Sequence, residues 1–181
     1  MSKRFSPFPA FFRAMQIPRY NNDRNMRKQV VGEHTANMNF LVMQAYKANA
    51  VYPNPDGSAE LDIMRAVTVH DMAEDLVGDH PYLAKIHYSR QMKTELRSLE
   101  TRFMVSRKVY TEANEFVNRA VHYFDELEAL ICMVREGNLR MDRAKFLDHL
   151  KDLAGRNMKW IDPEFAMQFA HMDFDSDFGE I

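Results

Sequence analysis

The sequence has one cysteine and little glycine or proline. Among 181 residues there are 6 glycines, 7 prolines and a single cysteine, Cys132. A single cysteine excludes an internal disulfide and any zinc site built from several thiolates. Cys132 lies in the apolar run ALICMV, so we expect a buried, inert thiol. Sparse breaker residues and few β-branched runs favour helices over a sheet.

Excess charge of one sign and long apolar runs are also absent. The net charge is -2 with 28% charged residues, so neither nucleic acid nor a membrane surface is an expected partner. No apolar segment reaches the about 18 residues that suggest a membrane span. The N-terminal MSKRFSPFPAFF contains two prolines and makes a poor signal peptide. We therefore expect a cytoplasmic protein.

Apolar residues make up 46% of the chain and recur at steps of three and four. This pattern predicts one all-α domain over 1–181, with a core over about 8–156 and then a short helix and an acidic tail. Predicted helices cover about 8–16, 31–48, 58–76, 82–86, 89–107, 111–136, 141–155 and 163–171. In the helix over 58–76, Ser58 is the expected N-cap, and Leu61, Met64, Val67 and Met72 are expected to point inward.

The stretch VHDMAEDLVGDHP at 69–81 places several titratable groups directly after an apolar run. Within the predicted helix, His70 and Asp71 can flank one ion from two sides. Glu74 shares their face because it lies four residues after His70. A buried carboxylate at this place needs a metal ion, another cation or a bound water.

Further ligands must come from other helices. His34 lies in VVGEHTANMNF, and Asp125 lies in NRAVHYFDELEAL among apolar neighbours. Histidine nitrogens and carboxylate oxygens suit Mn, Co, Zn or Mg, and such an ion would lower the pKa of a bound water. The plainer alternative makes His34 a hydrogen-bonded structural histidine and Asp125 part of a solvated helix edge.

These residues, in this order, resemble the HD-domain metal-dependent phosphohydrolases. The likeness is greatest to bacterial HD-domain 5'-deoxynucleotidases and to related phage enzymes that release triphosphate from dATP, and it covers about 11–138. The motifs that carry it read Arg19-Tyr20, Val31-Gly32-Glu33-His34, His70-Asp71-Met72-Ala73-Glu74, Gly78-Asp79-His80-Pro81 and Lys85.

The resemblance implies a single-domain HD-domain helical bundle with a divalent metal ion, a nucleotide substrate and a homodimeric or larger assembly. If a phage encodes the chain, its compartment is the host cytoplasm. By this likeness the metal ligands are His34, His70, Asp71 and Asp125, and the catalytic residue is Glu74. The implied substrate-binding residues are Arg19, Tyr20, Asp79, Lys85 and His122.

Three positions depart from the family pattern. Tyr20 stands where the nucleotidases usually have tryptophan, and His122 stands where a lysine is common. Leu83 replaces a second proline, which reshapes the expected base pocket. In the resemblance, Arg19 and Lys85 bind phosphate and Asp79 contacts the sugar.

Four functions fit the pattern. The first is a 5'-nucleotidase that releases phosphate from deoxynucleoside monophosphates, and the second is a triphosphohydrolase of a dNTP such as dATP. The third is a ppGpp hydrolase, because His70 to Asp75 also fits the HDxxED motif of those enzymes. The fourth is a non-catalytic HD scaffold, which would be expected to lack a ligand or the glutamate.

Overall fold

The computed structural model describes residues 15–19, 29–52, 58–73, 88–106, 115–135 and 142–171, and this part of the chain is helical. The helices are α1 (Val31–Lys47), α2 (Ser58–Val69), α3 (Arg90–Ser106), α4 (Glu115–Arg135), α5 (Arg143–Asn157) and α6 (Pro163–Met167), followed by a 3₁₀ turn at Gln168–His171. The predicted all-α architecture is confirmed. The helix predicted over 82–86 lies outside the described residues, as does most of the one predicted over 8–16, of which residues 15 and 16 form a turn.

The core forms where α1, α2 and α4 pack together, with α5 on α4 and α6 on α5. On α1, four apolar residues that share one face are buried. They are Met38, Leu41, Val42 and Ala45. On α4, Phe124 and Leu127 are fully buried. Cys132 is buried as predicted. None of the described helices is long and apolar enough to cross a membrane.

Helix α1 ends in a Schellman motif at Asn49. The backbone of Asn49 is left-handed, with φ of 54°, which asparagine tolerates better than most side chains. Its N–H donates to Tyr46 O at 3.0 Å, and the Ala50 N–H donates to Ala45 O at 2.9 Å. These two bonds satisfy carbonyls that the helix end would leave unpaired. The chain then pairs at Val51 with Ile161 in an antiparallel bridge.

Helix α2 is shorter than predicted, because it ends at Val69 rather than near Leu76. His70 and Asp71 therefore lie in a turn directly after the helix and not within it. The Met72 N–H donates to Val69 O at 3.0 Å, which tightens the chain into this turn. The predicted inward position of Leu61 is also wrong, since this side chain is 50% exposed. Val67 is buried as predicted, and Ile63 and Ala66 complete the buried stripe of α2.

Two later helices begin with aspartate caps. Asp142 accepts from the Lys145 N–H at 2.9 Å at the start of α5. Asp162 accepts from the Glu164 N–H at 3.0 Å at the start of α6, where proline occupies the first turn. Such caps supply acceptors for backbone donors that lack a partner within the helix. Pro163 begins the last helix as predicted.

Residues 15–19 run antiparallel to the chain that enters α1. The Arg19 N–H donates to Gln29 O at 2.6 Å, and the Gly32 N–H donates to Met15 O at 3.1 Å. A Cβ atom at Gly32 would lie only 3.1 Å from that same Met15 oxygen. Glycine therefore permits the close approach of these two segments. The pairing brings Arg19 to the first turn of α1.

Candidate metal centre

His34 lies in the first turn of α1 and has no exposed surface. Its Nδ1 atom lies 2.6 Å from Oε2 of Glu128, which projects from α4. The carboxylate can only accept, so Nδ1 carries a proton and donates it. The opposite ring nitrogen, Nε2, faces the turn that follows α2. The ring of His34 is thus held between two helices with Nε2 at their junction.

His70 is oriented in the same way by a backbone acceptor. Its Nδ1 atom donates to Val67 O at 2.6 Å, so Nε2 of the neutral ring keeps its lone pair. The rings of His34 and His70 have centroids 5.4 Å apart. Among the described residues, neither Nε2 atom has a hydrogen-bond partner although both are buried. Two such buried ring nitrogens suit a cation.

Asp125 completes this set from α4. Its Oδ1 atom lies 3.1 Å from Nε2 of His34, without hydrogen-bond geometry. One ligand atom from each of His34, His70 and Asp125 falls within 4.8 Å of the other two. Two imidazole nitrogens and a carboxylate oxygen are ligands that Zn, Mn or Co accepts. The three residues fit a divalent ion.

Asp71 and Arg19 lie next to this group of three residues. Asp71 places Oδ1 at 3.2 Å from Nε2 of His70 and Oδ2 at 3.6 Å from Nε2 of His34. Arg19 donates from Nη1 to Oδ2 of Asp71 at 2.7 Å, and its Nη2 lies 3.6 Å from Oδ1 of Asp125. The structure therefore brings Arg19 and the four predicted ligands together.

The carboxylates of this cluster favour positive charge at His34. Burial lowers the pKa of His34, but the carboxylates of Asp125 and Glu128 outweigh burial and raise this pKa to about 9. Burial opposes ionisation of both carboxyls, yet contact with His34 holds the pKa of Asp125 and of Glu128 below its usual range. Without an ion, an imidazolium thus balances the carboxylates. A divalent cation can displace the Nε2 proton and take its place.

Glu128 is the site residue that the sequence reasoning missed. It is 2% exposed, and its Oε1 atom accepts from Gln29 Nε2 at 2.7 Å and from Asn37 Nδ2 at 2.9 Å. A signal was available in the sequence. Glu128 falls on the apolar face of α4, one turn after Phe124, where a glutamate is unusual unless it is paired.

Of the other five predicted site residues, the structure describes one. His122 is exposed on α4, one turn before Asp125. The remaining four lie outside the described residues: Tyr20, Glu74, Asp79 and Lys85. Their roles stay predictions.

A cavity of about 440 Å³ lies on the other side of Glu128. Gln29, Asn37 and Glu128 contribute polar groups to its wall, and Phe40 and Ile131 are among its apolar lining residues. The hydrogen-bonded support of His34 therefore lies between the candidate metal site and an open space.

Comparison with known proteins shows the fold. No protein-family model matches the sequence, and neither does any curated protein. A similar solved structure is the cyanophage S-2L HD phosphohydrolase (DatZ) bound to dA and one catalytic Zn2+ ion. The match has a TM-score of 0.68 at 16% identity and covers 93% of this chain and 96% of that chain. The chain therefore has the fold of an HD phosphohydrolase, and the predicted HD-domain helical bundle is confirmed.

Proposed function

We propose that the protein is a metal-dependent phosphohydrolase of deoxynucleotides. One observation carries this proposal: the Nε2 atoms of His34 and His70 converge with the Asp125 carboxylate, without hydrogen-bond partners among the described residues. The protein of similar fold binds a catalytic Zn2+ ion and dA. The chemistry of the ligand atoms and the fold therefore both support a metal-dependent phosphohydrolase.

His34, His70 and Asp125 would hold the ion, with Asp71 as the fourth ligand. A bound ion supplies acidity, because it lowers the pKa of a coordinated water toward neutrality. Burial of the His34 ring and the fixed Nδ1–H bonds of both histidines keep the ligands in place. Such pre-organisation leaves little rearrangement for binding.

Arg19 is the proposed phosphate-binding residue in the described cluster. Its guanidinium already lies against two carboxylates at the edge of the site. A planar fork of donors there can bind two phosphate oxygens at once. Phosphoryl transfer depends chiefly on positioning the phosphate and neutralising its spreading negative charge. The guanidinium of Arg19, beside the metal ligands, would contribute to both.

Five further roles rest on the family resemblance. Glu74 would position the attacking water or transfer a proton, and Asp79 would contact the sugar. Tyr20 would stack on sugar or base. Lys85 and His122 would add positive charge near the phosphate, with His122 contributing only when it is protonated.

The specific reaction we propose is release of phosphate from deoxynucleoside 5'-monophosphates by a cytoplasmic homodimer or larger assembly. The second candidate is hydrolysis of a dNTP to the nucleoside and triphosphate. This alternative is considered because the similar structure is a phage protein, and the family resemblance includes phage enzymes that release triphosphate from dATP. Deoxyadenosine is part of both dAMP and dATP, so the two candidates share the nucleoside.

A release assay separates these functions. The metal-free protein is supplied with Zn, Mn, Co or Mg and offered dNMPs, NMPs, dNTPs and ppGpp, and phosphate and triphosphate are measured separately. Phosphate from dNMPs supports the first candidate, and triphosphate from dATP supports the second. Activity on ppGpp alone would contradict both. Absence of metal binding, together with unchanged activity in Asp71→Ala, would identify a scaffold.

A further inference from the structure

We propose that Glu128 is a positioning residue for the metal site, holding the His34 ring so that Nε2 faces the ion. The inference rests on the proposed metal site. Glu128 lies on α4 and contacts a proposed metal-binding residue, His34, rather than the ion itself. The proposed role is to fix both the direction of the ring and the nitrogen that carries its proton.

The geometry of Glu128 supports this role. Oε2 lies 2.6 Å from Nδ1 of His34, and Oε1 accepts from the amides of Gln29 and Asn37. All three partners donate, so the position requires a group that only accepts. A carboxylate meets this requirement with both oxygens. Because Nδ1 keeps its proton, Nε2 is the nitrogen that binds the metal once its own proton is displaced.

The amide donors hold a carboxylate that packing does not fully enclose. Glu128, Gln29 and Asn37 together border the cavity of about 440 Å³. On that side, hydrogen bonds from the two amides restrain the carboxylate. Gln29 and Asn37 come from the chain before α1 and from α1 itself, so they link Glu128 to the helix that carries His34.

Replacement by glutamine has a defined consequence. An amide oxygen turned toward His34 leaves the new NH₂ group facing the donors of Gln29 and Asn37. An NH₂ group turned toward His34 requires Nδ1 to accept, which moves the ring proton to Nε2. A protonated Nε2 cannot bind a metal ion. Either orientation therefore weakens the metal site while the side-chain volume stays nearly the same.

The test measures binding of the metal alone. Metal-free wild type, Glu128→Gln, Glu128→Asp and Glu126→Gln are titrated with Co2+, and the visible absorption of bound cobalt gives both Kd and ligand geometry. Glu126 is a matched control, because it lies two residues away in an exposed ion pair with Arg156. Thermal unfolding of each metal-free variant reports folding separately.

We expect Glu128→Gln to bind Co2+ about 10–100-fold more weakly. Glu128→Asp keeps an acceptor-only group on a shorter side chain, so its affinity should lie between those of Glu128→Gln and wild type. The cobalt absorption bands of both Glu128 variants should shift. Glu126→Gln should match wild type in Kd and in spectrum. If Glu128→Gln does not fold, the Kd and spectrum of Glu128→Asp decide the question.

Two results would overturn the inference: wild-type Kd and spectrum in the folded Glu128 variants, or an equal loss in Glu126→Gln. A wild type that binds no Co2+, Zn2+ or Mn2+ would overturn the proposed function first, and the role of Glu128 with it. The two failures are therefore distinguishable.

Discussion

Arg19 donates from Nη1 to Oδ2 of Asp71 at 2.7 Å, and this contact joins the segment before α1 to the turn after α2. The backbone of Arg19 is itself held by Gln29 O. A cation is thus fixed beside Asp71 and Asp125, both of which are predicted metal ligands. Arg19 partly neutralises these carboxylates and also competes electrostatically with an ion.

Replacement of Arg19 should affect metal and substrate in opposite directions. In Arg19→Ala, loss of the positive charge should tighten metal binding. Loss of the phosphate fork should lower kcat/KM by about 10–100-fold, because hydrogen bonds to charged groups contribute roughly 1.5–3 kcal/mol. Metal titration and steady-state kinetics on the preferred nucleotide measure the two effects. Arg156→Ala, at an exposed ion pair, is the control. Unchanged kcat/KM in Arg19→Ala would contradict phosphate binding by Arg19.

Metal affinity should fall as the pH is lowered through the range below about 9. The carboxylates around His34 raise its pKa to about 9 in the metal-free protein, so the ion must displace a proton at neutral pH. For one displaced proton, affinity weakens by about tenfold per pH unit below that pKa. Calorimetry in buffers of different ionisation enthalpy counts the released protons. Affinity independent of pH between 6 and 8 would contradict this prediction.

The same pKa sets the sign of a stability effect. Because the pKa of His34 is raised on folding from 6.5 to about 9, its contribution to metal-free stability is complete below about 6.5 and is lost as the pH rises toward 9. The lowered pKa values of Asp125 and Glu128 act at acidic pH and leave this window unaffected. The melting temperature of the metal-free protein should therefore fall between pH 6.5 and 9. His34→Gln should weaken this dependence.

Binding of the ion should stabilise the fold in proportion to its affinity. At a Zn2+ concentration 100 times Kd, the expected gain is about 2.7 kcal/mol, which corresponds to several degrees in Tm for a chain of this length. A chelator should reverse it. Asp125→Asn should remove most of the gain, whereas Asp148→Asn, on the exposed side of α5, should keep it. An equal Tm shift in both variants would place the ion elsewhere.

The sequence predicted most of the described helices, because periodic apolar residues are a local signal. It also named His34, His70 and Asp125, which the fold brings together. Periodic apolar residues identify α1 and α4, and ordered motifs identify His34, His70 and Asp125 before any contact is known. The end of α2 was not predicted, because apolar residues at helical spacing, such as Met72, continue past Val69 while the described chain turns there. Glu128 was missed because its burial depends on donors from Gln29, Asn37 and His34, far away in the sequence. Periodicity alone does not reveal such partners.

Gly32 should control the placement of Arg19. A Cβ atom at this position would lie 3.1 Å from Met15 O, so Gly32→Ala must shift the segment 15–19 by a few tenths of an ångström. Gly155 in α5 offers a matched control, because its Cβ would meet nothing within 4 Å. Gly155→Ala should stabilise the protein by about 0.5–1 kcal/mol, as expected for alanine in an exposed helix. Gly32→Ala should gain less or lose stability and should raise KM. Equal stabilisation by the two substitutions, with unchanged KM, would show that the close approach of Met15 does not position Arg19.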